Sequence, residues 1–122
     1  MKIAVTSVGK ELDSQVDPRF GRAACFIIVE TETLAFEAIE NANIAASGGA
    51  GITSAKAVID TGAQAVLTGN CGPNAERTLR AANIKLYTGV TGTVAEAVAQ
   101  FKAGSLTEAT GPSVDSHSGM GQ

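Results

Sequence analysis

The residues best equipped for chemistry in this 122-residue sequence fall in a few short stretches. Cys71 lies in "TGNCGPNAE" (68–76), between Asn70 and Gly72 and immediately ahead of helix signals. A thiol there can be a nucleophile, a soft metal ligand or a small residue in a tight turn, and a following helix N-terminus would favour its thiolate. Arg19 and Arg22, in "DPRFGRA" (17–23), can grip anionic oxygen or sulfur. "SGGAGIT" (47–53) brings Gly48, Gly49, Ala50 and Gly51 to another helix start, where glycine allows close backbone approach. Unpaired N–H groups and partial positive charge at helix starts favour anions, so these loops together point to an anionic ligand.

Other chemistries fit less well. Lys56 stands five residues after Gly51 rather than beside it, so "GGAGITSAK" is not a phosphate-binding P-loop. Ser54 occupies the place of the third glycine in a dinucleotide fingerprint. An activated cysteine needs a base, and the only histidine, His117, lies in a polar C-terminal stretch. Cys71, Cys25 and His117 lack structural-zinc spacing, although Cys71 with His117 and Met120 as auxiliaries could serve a preassembled metal–sulfur cluster. Whether Cys71 is a ligand or a turn residue stays open on these grounds. Cys25, beside Phe26, reads as a core residue. Asp13, Asp17 and Asp60 show no spacing for paired-metal catalysis.

These residues need elements to position them. "KIAVTSV" (2–8) reads as a strand, and "CFIIVE" (25–30) with "LAFEAIE" (34–40) as a hairpin across "TET". A helix follows from "GGAGIT", with Ile52, Ala55, Val58 and Ile59 on one face and Gly62 as its stop. "AQAVLTG" (63–69) has the continuous apolar character of a covered parallel strand. Pro73 suits the first turn of a helix whose apolar stripe is Ala75, Leu79 and Ala82, with Glu76, Arg77 and Arg80 facing water. "IKLYTG" (84–89) predicts a strand. Thr93 and Glu96 predict a capping box for a helix burying Val94, Ala97, Val98 and Phe101 and ending at Gly104. The order is βββαβαβα. In this order the loop at 9–24, "SGGAGIT", "GNCGPN" and "TGVTGT" all reach one sheet edge, beyond strand carboxyl ends, where ligands of open α/β sheets bind.

The length suits one domain, 1–106, followed by a polar, aperiodic flexible tail, 107–122. A net charge of −3 argues against nucleic-acid and anionic-membrane partners. The start "MKIAVTSVG" has no signal-peptide pattern, and no apolar run could span a bilayer, so a cytoplasmic protein with reduced cysteines is expected.

"DPRFGRAACFIIVE", "SGGAGITSAKAVIDTGAQAVLTGNCGPNAERTLRAANIKLYTG" and "GTVAEAVAQFKAGSL" together resemble the dinitrogenase iron–molybdenum cofactor-binding family over nearly all of residues 1–106. The resemblance implies a ribonuclease H-like, three-layer α/β fold with a mixed five-stranded sheet. It further implies a non-catalytic accessory protein that carries an iron–molybdenum–sulfur cluster, its precursor or a related metal–sulfur cluster such as a molybdenum–copper–sulfur one. Cofactor assembly proteins would be its partners. Carried over by position, Phe20-Gly21-Arg22, Gly48-Gly49-Ala50-Gly51 and Gly72-Pro73-Asn74-Ala75 match family loops, with Asn70 beside them. Arg19 stands where many relatives have histidine, which favours charge pairing with an anionic cluster over ligation. Cys71 replaces a commonly apolar residue and is the one candidate metal ligand at this edge. The alternatives are a cysteine-dependent enzyme using Cys71 and a regulatory or scaffold module.

Overall fold

The computed structural model describes residues 1–41 and 50–109. Eight elements follow the expected order: β1 (Lys2–Ser7), β2 (Cys25–Glu30), β3 (Phe36–Glu40), α1 (Ala50–Asp60), β4 (Ala65–Leu67), α2 (Pro73–Ala81), β5 (Lys85–Tyr87) and α3 (Val94–Lys102). The strands form one mixed sheet in the order β3-β2-β1-β4-β5. β1 pairs antiparallel with β2 from Lys2↔Glu30 to Ser7↔Cys25, and β2 pairs antiparallel with β3. β1, β4 and β5 run parallel, as β-α-β crossovers require.

Alternation along the strands builds the three layers. Ala4, Phe26, Ile28, Val66 and Leu86 face one way and pack with Ala55 and Val58 of α1 and Ala75 and Leu79 of α2. Ile3, Val5, Ile27, Val29, Ala65 and Leu67 face the other way, against Val94, Ala97 and Val98 of α3. β1, β2 and β4 are thus covered on both faces, which is why they read as unbroken apolar runs. This is the ribonuclease H-like arrangement expected.

Several boundaries differ for local reasons. β3 begins at Phe36 rather than Leu34, because Leu34 adopts φ 63° and its N–H donates to Glu30 O (2.8 Å) to close the turn. β4 and β5 keep three residues each, with single backbone bonds just beyond β4 from Gln64 N–H to Lys2 O (2.8 Å) and from Thr68 N–H to Tyr87 O (3.0 Å). Glu76 does not face water: it is buried and ion-paired with Arg80, an arrangement the positive start of α2 favours. Ala82 is exposed beyond the end of α2, and Ile84 occupies the core position instead. Gly62 (φ 83°) and Gly104 (φ 74°) follow α1 and α3 as expected, and the Thr93–Glu96 capping box is present. Beyond residue 106, Ala109 N–H donates to Leu86 O (2.7 Å) and Glu108 bridges Tyr87 along the outer edge of β5. The rest of the expected tail, 110–122, with His117 and Met120, lies outside the described residues.

Candidate functional site

The edge beyond the carboxyl ends of β1, β4 and β5 is built from two loops that clamp each other. Asn70 N–H donates to Pro18 O (2.7 Å), and Phe20 N–H donates to Asn70 O (3.1 Å). Arg19 and Asn70 thereby form a short parallel bridge. The approach is so close that a Cβ on Gly69 would lie 2.6 Å from Pro18 Cα and 2.8 Å from Pro18 O. Only glycine fits there. The β5 loop joins the same assembly through Gly89 N–H to Gly69 O (2.8 Å).

Beneath these loops lies a buried polar layer. Thr6 Oγ1 sits 2.7 Å from Asp17 O and 2.9 Å from Thr68 Oγ1. The Asp17 carboxylate, 1% exposed, accepts from Arg19 N–H (3.0 Å) and Ala24 N–H (3.2 Å). It also pairs with the Arg19 guanidinium, Nε at 3.3 Å and Nη2 at 3.5 Å. Asn41 Nδ2 donates to Gly21 O (3.1 Å) and Ala23 O (2.9 Å), and Ser54 Oγ donates to Gly21 O (3.3 Å). The Arg loop is therefore tied to β1, to the end of β3 and to α1. Burying so many polar groups is tolerable because they satisfy one another.

The candidate residues separate by environment. Arg19, Arg22, Asn70 and Asn74 are exposed at the edge, with Gly72 half-buried beside them. Phe20 is 2% exposed and packs on Phe26 at a ring separation of 5.6 Å, so it anchors the loop from below. Gly21 spends its carbonyl on Asn41 and Ser54. Gly51 serves helix packing, since a Cβ there would meet Ala75 Cβ at 3.3 Å. Ala50 opens α1, while Gly48 and Gly49 lie outside the described residues. Asp17, Asn41, Ser54, Thr6 and Thr68 carry the edge and were not anticipated. Asp17 was the readable one, because an acid before proline is a common turn initiator.

Three helices begin at this edge, but they are not equivalent. At α3 the capping box is supplemented by Val94 N–H to Ser14 O (2.9 Å) and Ala95 N–H to Leu12 O (2.8 Å), so the first-turn donors are already used. The N-cap of α2 is Gly72, which supplies no side-chain cap, and among the described residues nothing lies within 4 Å of where its Cβ would stand. Among the described residues no side-chain hydrogen bond caps the start of α2, whereas the first-turn donors of α3 are spent.

Cys71 is 1% exposed and sits in the core cluster with Phe20, Ala55 and Ala75. Burial, with a smaller contribution from the Glu76 carboxylate, pushes its thiol up from 9.0 to about 12. The helix start does not deliver a thiolate, because desolvation outweighs the dipole. Cys25 is buried as expected. Among the described residues no group of three or more His, Cys, Asp or Glu side chains could hold a metal ion, and no helix is long and apolar enough to cross a membrane.

Comparison with known proteins agrees with this architecture. The apo form of the orange protein from Desulfovibrio gigas superposes with a TM-score of 0.89 at 45% identity, covering 91% of this chain and 94% of that one. A NifB-like protein from Thermotoga, assigned to the DUF35 family, gives a TM-score of 0.77 at 41% identity over 88% of this chain and 91% of its own. An uncharacterized protein of Methanocaldococcus jannaschii is 30% identical over 110 residues, 87% of this chain and 93% of that protein. The model of the dinitrogenase iron-molybdenum cofactor family matches residues 1–104, and the chain belongs to that family.

Proposed function

We propose that this protein is a non-catalytic carrier for an anionic metal–sulfur cluster, or a precursor of one, of the iron–molybdenum cofactor type. The observation that carries the reading is the clamped pair of loops, which holds Arg19 against Asn70, two residues before the side-chain-free N-cap of α2, with Arg22 exposed in the same loop. Family membership supports the cofactor association, and a neighbour at 45% identity that was solved as an apo form supports a bound state for this fold.

The donor set fits such a cargo as an anion. Guanidinium and backbone N–H groups donate to sulfur or oxygen, and an exposed edge accepts a body larger than a single ion. In this reading Arg19 and Arg22 neutralise charge, Gly72 and Asn74 bring the α2 N–H groups close, and Asn70 orients the rim. Cys71 packs beneath them, and its buried, protonated thiol favours a structural role over ligation or nucleophilic catalysis. Cofactor assembly proteins would deliver and receive the cargo.

Anaerobic reconstitution with iron, molybdate and sulfide, with a parallel arm containing copper, tests the proposal. Retained metal and sulfide with new visible absorption are expected after desalting. Protein that emerges colourless and metal-free from every arm would refute it.

A further inference from the structure

Asp17 sits two residues before Arg19 and is 1% exposed. Its carboxylate receives two kinds of hydrogen bond. Backbone N–H groups of Arg19 and Ala24 reach Oδ1 and Oδ2 at 3.0 and 3.2 Å. The Arg19 guanidinium reaches the same oxygens at 3.3 and 3.5 Å, and its side chain is 59% exposed. Charge-assisted contacts usually run about 2.7–2.9 Å, so the guanidinium is held loosely.

The arrangement has a consequence for exchange. When the guanidinium turns to another anion, each Asp17 oxygen keeps a backbone donor. The buried carboxylate is not stranded, and the penalty that normally locks a buried ion pair is avoided. An edge built only to accumulate positive charge would have no use for an acid here, because Asp17 cancels one of the two cations, Arg19 and Arg22, of its own loop.

We infer that Asp17 is a resident counter-anion for Arg19, displaced when an anionic cargo arrives and re-engaged when it leaves, so that it sets affinity and release rate. The inference rests on the proposed cargo. It also defines the ligand class more narrowly: a monovalent anion gains little by replacing a carboxylate already in place, whereas a multiply charged anion gains enough to exchange. Asp17 is thus a tuning residue acting through Arg19.

The test uses the full chain under anaerobic conditions with tetrathiomolybdate, a molybdenum–sulfur dianion followed by its visible absorption. Wild type, Asp17→Asn, Arg19→Ala and the double variant are titrated, and release is timed by stopped flow. Asp17→Asn removes the charge and keeps the side-chain shape, with one acceptor oxygen left for the backbone N–H groups of Arg19 and Ala24. It should tighten binding about two- to fivefold, the scale of a solvent-accessible ion pair. Release should slow accordingly, and the gain should vanish in the Arg19→Ala background. Weaker binding in both backgrounds would make Asp17 a mere loop splint and overturn the inference; equal tightening without Arg19 would reduce it to general charge and do the same.

A measurement on wild type covers the case in which Asp17→Asn does not fold. The Arg19 Nε–H NMR signal should shift and exchange with solvent at a different rate on saturation with tetrathiomolybdate, and an unchanged signal would overturn the exchange. Wild type that binds no tetrathiomolybdate at all would sink the cargo and the inference together. Binding with the wrong Asp17→Asn response sinks the inference alone.

Discussion

Replacing Gly69 with alanine strikes the contact on which the edge depends. The added Cβ would lie 2.6 Å from Pro18 Cα, 2.8 Å from Pro18 O and 3.1 Å from Pro18 C. All three are backbone atoms of the Arg loop, so no side chain can turn aside and the loop itself must move. Overpacking of this kind costs about 1–3 kcal/mol. Separating the loops also strains the bonds from Asn70 N–H to Pro18 O and from Phe20 N–H to Asn70 O, each worth about 0.5–1.5 kcal/mol. Partial relaxation offsets some of the total, leaving a destabilisation of about 2–3 kcal/mol and a fall in Tm of about 10 °C for a domain of this size. Urea denaturation followed by circular dichroism measures it. Gly72→Ala is the internal control, because nothing among the described residues lies within 4 Å of its Cβ position and its φ of −79° suits any residue. It should stay within about 1 kcal/mol of wild type, the scale of a lost N-cap preference. A Gly69→Ala protein as stable as Gly72→Ala would refute the clamped-loop geometry.

Other consequences can be measured separately. Arg19→Ala and Arg22→Ala should each weaken retention of a reconstituted cluster about tenfold and flatten its salt dependence, read by metal analysis after desalting at graded ionic strength. Cys71 should alkylate slowly in native protein and rapidly in urea; fast, selective native labelling would restore the enzyme reading. The same thiol makes stability pH-dependent in a defined direction. Its folded pKa of about 12 lies above the ordinary 9.0, so the unfolded state loses its proton first, and stability present below pH 9 is lost progressively as pH rises from 9 towards 12. Denaturation midpoints should therefore fall more steeply above pH 9 in wild type than in Cys71→Ala, and parallel curves would contradict the buried thiol. Thr93→Ala removes the side-chain acceptor for Glu96 N–H (3.1 Å) and should cost about 1 kcal/mol by urea denaturation, with no effect on cluster retention because the Ser14 and Leu12 carbonyls already occupy the start of α3.

The element order was legible because each strand and helix carries its own signal: apolar runs in β1, β2 and β4, Pro73 at the start of α2, and the Thr93–Glu96 box before α3. The meeting of loops at one edge followed from that order alone. What resisted reading was the support. Phe20, Arg19 and Asp17 are near neighbours in the chain, yet one is core, one is exposed and one is a buried acid, and only the path of the loop over Gly69 decides which is which. Asn41 and Ser54 are separated from Gly21 by 20 and 33 residues, so their hydrogen bonds leave no local pattern. Glu76 was expected to face water and is buried, and the depth of Cys71 left no local signal either, because it is set by Phe20 of the Arg loop and Ala55 of α1. The inequivalence of the helix starts was also hidden, since Leu12 and Ser14 close that of α3 with carbonyl groups that no side-chain motif announces.

If the cargo sits on the edge formed by residues 17–23 and 69–74, amide NMR during titration with tetrathiomolybdate will locate it there. Saturable shifts are expected on Arg19, Arg22, Asn70, Gly72 and Asn74, with the α3 start at Val94 and Ala95 unmoved. Shifts centred instead on the apolar hollow of Leu12, Leu34, Val98 and Lys102, or no saturable shift at all, would contradict that placement.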